Sequence, residues 1–186
     1  MATNPDQNGG LELVEGPRII VPAAVLSTDA AVLGYGDAVK VATMAAESNG
    51  IMTVTRANNG DAIIGVVINP RVKGWKYTDT DRRRPASTAS LIHILLVQPG
   101  QGHVFRIQAS AGTDLSTTLT SATRFCDLAT VADADSVTAQ STSEADLSTL
   151  HATDGQLYVL GVDTTYGDTN LAGQDNTKIL VRIANT

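Results

Sequence analysis

Chemistry in this chain would have to come from a small set of residues. There are three histidines, His93, His103 and His151, and one cysteine, Cys126. His93 and His103 fall on two apolar runs that read as strands of one hairpin, which would make them neighbours. A zinc site needs further ligands in tetrahedral geometry, and no Cys or His spacing here matches a metal motif. The histidines therefore read as strand and turn residues, with no metal and no cofactor implied. Cys126 follows Phe125 and reads as a small buried hydrophobe rather than a nucleophile. Asp37, Asp61 and Asp163 could be taken for paired acids. Each sits beside a glycine or in a turn, where aspartate serves backbone hydrogen bonding. The glycine-rich pieces lack the Gly-Lys-Ser/Thr of a phosphate-binding loop. Nothing in this set converges on catalysis, so the expectation is a protein that is not an enzyme.

The most distinctive polar cluster is Arg82-Arg83-Arg84, preceded by Asp79 and Asp81 and, further back, by Trp75 and Tyr77. It lies in a stretch over 72–90 with no clear periodicity, which reads as a long functional loop. Three readings compete: contact with another protein, a solvated loop neutralised by its own aspartates, and phosphate or nucleic-acid contact. Arginine beside tryptophan and tyrosine is the composition of an interface anchor, and the chain carries a net charge of -6. Protein contact ranks first and nucleic acid last. The candidate interface is Trp75, Tyr77, Arg82, Arg83 and Arg84.

Composition bounds the rest. The chain has 186 residues, 42% of them hydrophobic, enough for one domain with a normal core. Aromatics are 4%, too few for recognition by stacking on bases or sugars. Acidity disfavours general affinity for nucleic acid or anionic lipid. A single cysteine allows no internal disulfide. The start of the chain has no hydrophobic signal segment, and no apolar run reaches the length of a membrane span. A soluble product made in the cytoplasm is the expectation, with a flexible arm over residues 1–16 and one β domain over 17–186.

The elements that must position these residues are short strands. Twice a Gly-Asp turn, at Gly36-Asp37 and Gly60-Asp61, opens a run of β-branched residues fit for a strand. Arg18–Val21 reads as a strand stopped by Pro22. Thr28-Asp29 reads as the cap of one turn, and Thr43–Ser48 as one helical turn. Val39 and Val41 should both face inward. Asn58-Asn59-Gly60-Asp61 reads as a hairpin turn joining a strand at 51–56 to one at 63–68. The run 91–97 should be buried on both faces, and Gln98–Gly102 should turn it into a second hairpin with 104–108. A short strand is expected at 124–128, an exposed loop at 132–143 and a short helix over 143–151. Leu157–Asp163 repeats the glycine-interrupted pattern of Ile63-Ile64-Gly65-Val66, and a glycine inside a strand marks a bulge, a bend or a close backbone approach. A polar loop over 164–176 precedes a last strand at 178–183, with Ile179, Val181 and Ile183 inward. About eight strands with polar loops predict an all-β fold, a compact barrel or sandwich with long loops.

Four segments, Leu95–Gly100, Val104–Ala109, Leu157–Val162 and Asn176–Ile183, resemble in that order the head decoration (cement) proteins of tailed bacteriophages. Gly36-Asp37, Gly60-Asp61 and Ile64-Gly65-Val66 resemble the first half of the same family. The resemblance spans about residues 34–183, with 72–90 and the long Ser/Thr loops as departures. It implies a small, tulip-like β-barrel, often trimeric, on the outer surface of the capsid, clamping adjacent major capsid proteins. The family pattern carries no catalytic residues, so none transfer. The expected partners are the major capsid protein and two further copies of the chain, with no nucleic acid, membrane or small-molecule substrate. The runner-up is a β-sandwich module of a tail or fibre that recognises a host surface glycan. A small β-fold hydrolase stands third and would need an acid or nucleophile cluster.

Overall fold

The computed structural model describes residues 9–42, 50–70, 83–98, 100–110, 119, 123–129, 132–148, 150–165 and 176–184. Over these the protein is all-β and sandwich-like, with three antiparallel sheets. The strands are β1 (Glu12–Glu15), β2 (Ile20–Val25), β3 (Ala38–Val41), β4 (Val54–Arg56), β5 (Gly65–Asn69), β6 (Ser90–Leu96), β7 (Val104–Gln108), β8 (Phe125–Cys126), β9 (Leu128–Ala129), β10 (Glu144–Ala145), β11 (Leu157–Val162) and β12 (Lys178–Ile183). One five-stranded sheet has the order β1-β7-β12-β11-β8. The other runs β2-β6-β5-β3-β4, and β10-β9 is a small ribbon. No helix among the described residues is long and apolar enough to cross a membrane.

Strand alternation explains where the two cores lie. In the second sheet Ala38, Val66 and Leu95 point at the first sheet, where they meet Phe105, Ile107, Leu157, Val159, Ile179 and Val181. Their neighbours Val39, Val67, Ile92 and Ile94 point the other way, into a second core with Ala23, Val25, Leu33 and Val54. The second sheet thus buries both faces, which is why 91–97 reads as an almost continuous apolar run. It closes on that second core by curling. A single parallel bridge, Ala24 to Thr53, ties its two edges, with Ala24 N–H donating to Met52 O at 2.8 Å.

Several local expectations are corrected. The chain does not stop at Pro22: β2 runs through it, because β2 is an edge strand and its missing N–H costs no ladder bond. The turn at Asn58–Asp61 exists, with Asp61 N–H donating to Asn58 O at 3.1 Å, but it makes no hairpin. β3 lies between β4 and β5, so the turn carries the chain across β3. The turn at 98–102 likewise joins strands of different sheets, β6 and β7. Val39 is buried, whereas Val41 is 54% exposed at the end of β3, beyond the core. The segment 143–151 is no helix: it holds β10, and Asp146 Oδ1 accepts the Ser148 N–H at 2.9 Å in a local turn. Residues 9–16, expected within a flexible arm, are part of the fold. Leu11 is buried and β1 pairs with β7; residues 1–8 lie outside the described residues, as do Thr43–Ser48.

The segment 132–143 was expected to be exposed for want of large apolar residues. Ala132, Asp133, Ser136, Val137, Thr138 and Gln140 are exposed, but Ala134, Ala139, Ser141 and Ser143 are buried. Small side chains let it close on the Gly34–Gly36 turn. Tyr35 N–H donates to Ala139 O at 2.9 Å and Ser141 N–H to Tyr35 O at 2.7 Å. On the other side of that turn a Cβ on Gly36 would lie 2.1 Å from Gly9 O, and φ there is +86°. Gly36→Ala should therefore destabilise the fold by about 2 kcal/mol or more, read as a lowered urea midpoint by circular dichroism; an unchanged midpoint would refute the close approach.

The two interrupting glycines behave as the pattern implies. At Gly161 the β11–β12 register slips between Val159 and Gly161, a bulge. At Gly65 an added Cβ would sit 2.8 Å from Leu95 O, a close backbone approach. The last strand also matches: Ile179 and Val181 are buried, Ile183 is half-buried and Arg182 is exposed.

Candidate functional site

The arginine cluster divides. Trp75, Tyr77 and Arg82 lie outside the described residues. Arg83 Nη1 donates to Ala134 O at 2.8 Å, holding the 132–143 segment. Arg84 is a correction: its side chain is fully buried and unavailable to another protein. The guanidinium plugs the inside of the 26–31 turn. Nη2 donates to Leu26 O at 2.7 Å and Thr88 O at 2.8 Å; Nη1 donates to Asp29 O at 3.0 Å and to Ala31 O. Nε reaches Thr88 O and Ser90 Oγ. All five N–H donors are used. Backbone bonds between Arg84 and Leu33 anchor the residue itself. Burial pulls its pKa down, with the nearby Asp29 charge acting against that.

The histidines stay apart. His93 lies opposite Pro22 and Asn69 in the second sheet. His103 is buried in front of β7, with Nε2 2.8 Å from Pro17 O and its ring stacked on Phe105 at 6.0 Å. His151 bridges Phe125. Cys126 is buried, and burial pushes its thiol up to about 12. A thiol with that pKa is protonated at neutral pH and a poor nucleophile. Among the described residues no three His, Cys, Asp or Glu side chains gather as a metal site.

The aspartates each hold a turn. Asp61 pairs with Lys40 at 2.7 Å. Burial works to raise its carboxyl, but the hydrogen bonds from Lys40 and Asn58 outweigh it and hold the pKa low. Asp163 is buried and pairs with Arg106. Burial again opposes the charge, and the bonds from Thr165 and Arg106 win. Asp37 is the exception. Burial dominates and pushes its carboxyl up to about 6, against hydrogen bonds from the Ser141 hydroxyl and Gly34 N–H. The Gly34 bond is 2.7 Å, and Asp37 Oδ1 has no partner among the described residues.

A half-open groove of about 710 Å³ lies between β1 and the second sheet. Leu13, Arg18, Ile20, Tyr35, Arg106 and Gln140 are among the side chains that line it. β7 contributes to its lining, and there Arg106 donates to Glu12 at 3.1 Å, to Thr165 Oγ1 at 2.9 Å and to Asp163. Burial disfavours the Arg106 charge, but Asp163 and Glu12 more than offset this and raise its pKa. The rim is apolar and accessible: Ile20 is 52% and Tyr35 38% exposed. Beyond it the 135–140 turn is fixed by Asp135 Oδ1, which accepts the N–H groups of Val137 and Thr138, and Val137 at its tip is 89% exposed. Sequence reading passed over these residues. The one available signal was Arg18-Ile19-Ile20, a cation and two large apolar side chains leading into what proves to be the edge strand β2.

Fold and groove together define an all-β sandwich of two five-stranded sheets and a small ribbon, whose polar clusters brace turns and which exposes a groove and several apolar side chains. No protein family, curated protein or solved structure matches this chain.

Proposed function

We propose that this is a virion structural protein that binds the outer surface of a phage head and stabilises the shell by clamping adjacent major capsid proteins, as a trimer, after synthesis in the host cytoplasm. The segmental resemblance to phage decoration proteins motivates the reading. The observation that carries it is the division of labour on the molecule: Asp37, Asp61, Asp163, Arg84 and Arg106 are occupied in bracing the fold, while Ile20, Tyr35 and Val137 stand exposed. A braced scaffold with accessible apolar contacts suits a protein whose work is contact. Its sheet edges are poor templates for pairing, since β1 carries Glu12 and Glu15, β2 carries Pro22, β4 has three residues and β8 has two. Contact would therefore run through side chains.

Light scattering on the pure protein, repeated with empty expanded phage heads, tests this. A trimer, or saturation of the heads at a fixed ratio, is the expected result. A monomer that ignores heads defeats the reading. A host-glycan module is the second reading, favoured by the polar groove lining of Arg18, Gln108 and Gln140; specific signal on a glycan array would support it.

A further inference from the structure

We propose that the groove between β1 and the second sheet docks an extended peptide of a partner protein, seating an apolar side chain against Ile20 and Tyr35 and a carboxylate at Arg18. This rests on the reading of the chain as a protein-binding scaffold.

Charge complementarity points to an acidic occupant. The chain as a whole carries -6, yet the described residues lining the groove include three cations, Arg18, Arg106 and Lys178, and one carboxylate, Glu12. Arg106 is already matched by Asp163 and Glu12. Arg18 is exposed and forms no ion pair among the described residues. A guanidinium held at a groove mouth suits bidentate capture of a carboxylate.

Spacing points to an extended peptide. Arg18 and Ile20 are two residues apart, and Leu96 N–H donates to Ile19 O at 2.8 Å between them, so the ladder of β2 and β6 already extends this far. Two positions apart on extended chain is roughly 6–7 Å, with both side chains on one face. An occupant in extended form repeats its side chains at the same interval. The pair therefore reads an acidic residue two positions from an apolar one. Tyr35 supplies a rigid ring beside Ile20, the kind of side chain that anchors interfaces.

Two labelled synthetic peptides of about eight residues serve as probes, one repeating valine-serine-glutamate-serine, which sets each glutamate two positions from a valine on one face, the other with lysine in place of glutamate. Fluorescence polarisation with the full chain should show binding of the glutamate peptide alone, weakened by salt. Arg18→Glu should weaken it about tenfold or more, and Tyr35→Ala by a similar factor, each equivalent to about 1.4 kcal/mol. Both residues are exposed, so the thermal midpoint should not move. Arg182→Glu, which reverses another exposed arginine on β12, should leave affinity unchanged. No binding of either peptide, equal effects of Arg18→Glu and Arg182→Glu, or a preference for an anionic glycan over the peptide would overturn the assignment. The head-binding assay separates the two readings. Peptide binding lost in Arg18→Glu by a chain that ignores heads keeps the groove and removes the capsid. Saturation of heads by wild type and Arg18→Glu alike, without peptide binding, does the reverse.

Discussion

Arg84→Ala should lower stability by about 4 kcal/mol or more, the largest effect of any single substitution among the described residues. The side chain is fully buried and its five donors serve four backbone carbonyls, those of Leu26, Asp29, Ala31 and Thr88, together with Ser90 Oγ. Truncation leaves those carbonyls facing a void. Each unsatisfied buried polar group costs on the order of 1–3 kcal/mol, and removing one side of a buried charged cluster about 3–5. Water entering the void recovers part of this. Arg84→Lys keeps the charge but has three donors and no planar fork, so it should recover less than half of the loss. Urea unfolding followed by circular dichroism gives both numbers. A loss below about 1 kcal/mol for Arg84→Ala would mean that the 26–31 turn holds itself. The outcome also bears on function: a residue that would be an interface anchor in a loop is here a keystone of the second core, so its loss should abolish partner binding only by unfolding.

Asp37→Asn should do the opposite and stabilise the protein above neutral pH. The Asp37 carboxyl titrates at about 6 in the fold, against an ordinary value of 3.8. The folded state therefore binds its proton more tightly than the unfolded chain. Stability from this group is complete below the unfolded value and is lost as pH rises through 6. By pH 8 the loss is on the order of 3 kcal/mol. The charged groups around it, Arg56 and Asp133, act in opposite directions and are themselves paired at 3.1 Å, so burial sets the sign. Asparagine is neutral at every pH and can still accept the Gly34 N–H. Wild type should thus lose stability between pH 5 and pH 8 relative to Asp37→Asn, with the variant ahead by up to about 3 kcal/mol at the upper end. Parallel urea curves for the two proteins at both pH values measure this directly. Equal stability at pH 8 would show that Asp37 stays comfortably ionised in place.

These two residues sit at the junctions that shape the groove. Asp37 holds the Gly34–Gly36 turn, and that turn carries Tyr35 to the groove rim. Arg84 holds the 26–31 turn that leads into it. Neither touches the groove itself, so changes at both act on the rim through the backbone.

Most strands were legible in the residues, though β1 was read as part of an arm and β10 as part of a helix. β-branched runs, glycines after short turns and the alternation of Ile179 and Val181 with Lys178 and Arg182 are local properties, and local periodicity follows from the geometry of a pleated chain. So were the bulge at Gly161 and the close approach at Gly65, because a missing Cβ is a statement about immediate backbone surroundings. Tertiary structure alone decided which strands pair. Asn58–Asp61 and Gln98–Gly102 have the composition of hairpin turns, yet one crosses β3 and the other passes between sheets. Turn chemistry sets the reversal of the chain, while pairing is set by which apolar faces can be buried together. Size misled in part of 132–143: Ala134 and Ala139 pack against Gly34 and Ser141 against Gly10, while Ser136, Val137, Thr138 and Gln140 between them stay exposed as expected. The fate of Arg84 shows the same limit. Three consecutive arginines look alike along the chain, and only the ring of carbonyls formed by the 26–31 turn and Thr88, contributed from opposite ends of the second sheet's connections, distinguishes a buried keystone from a surface charge.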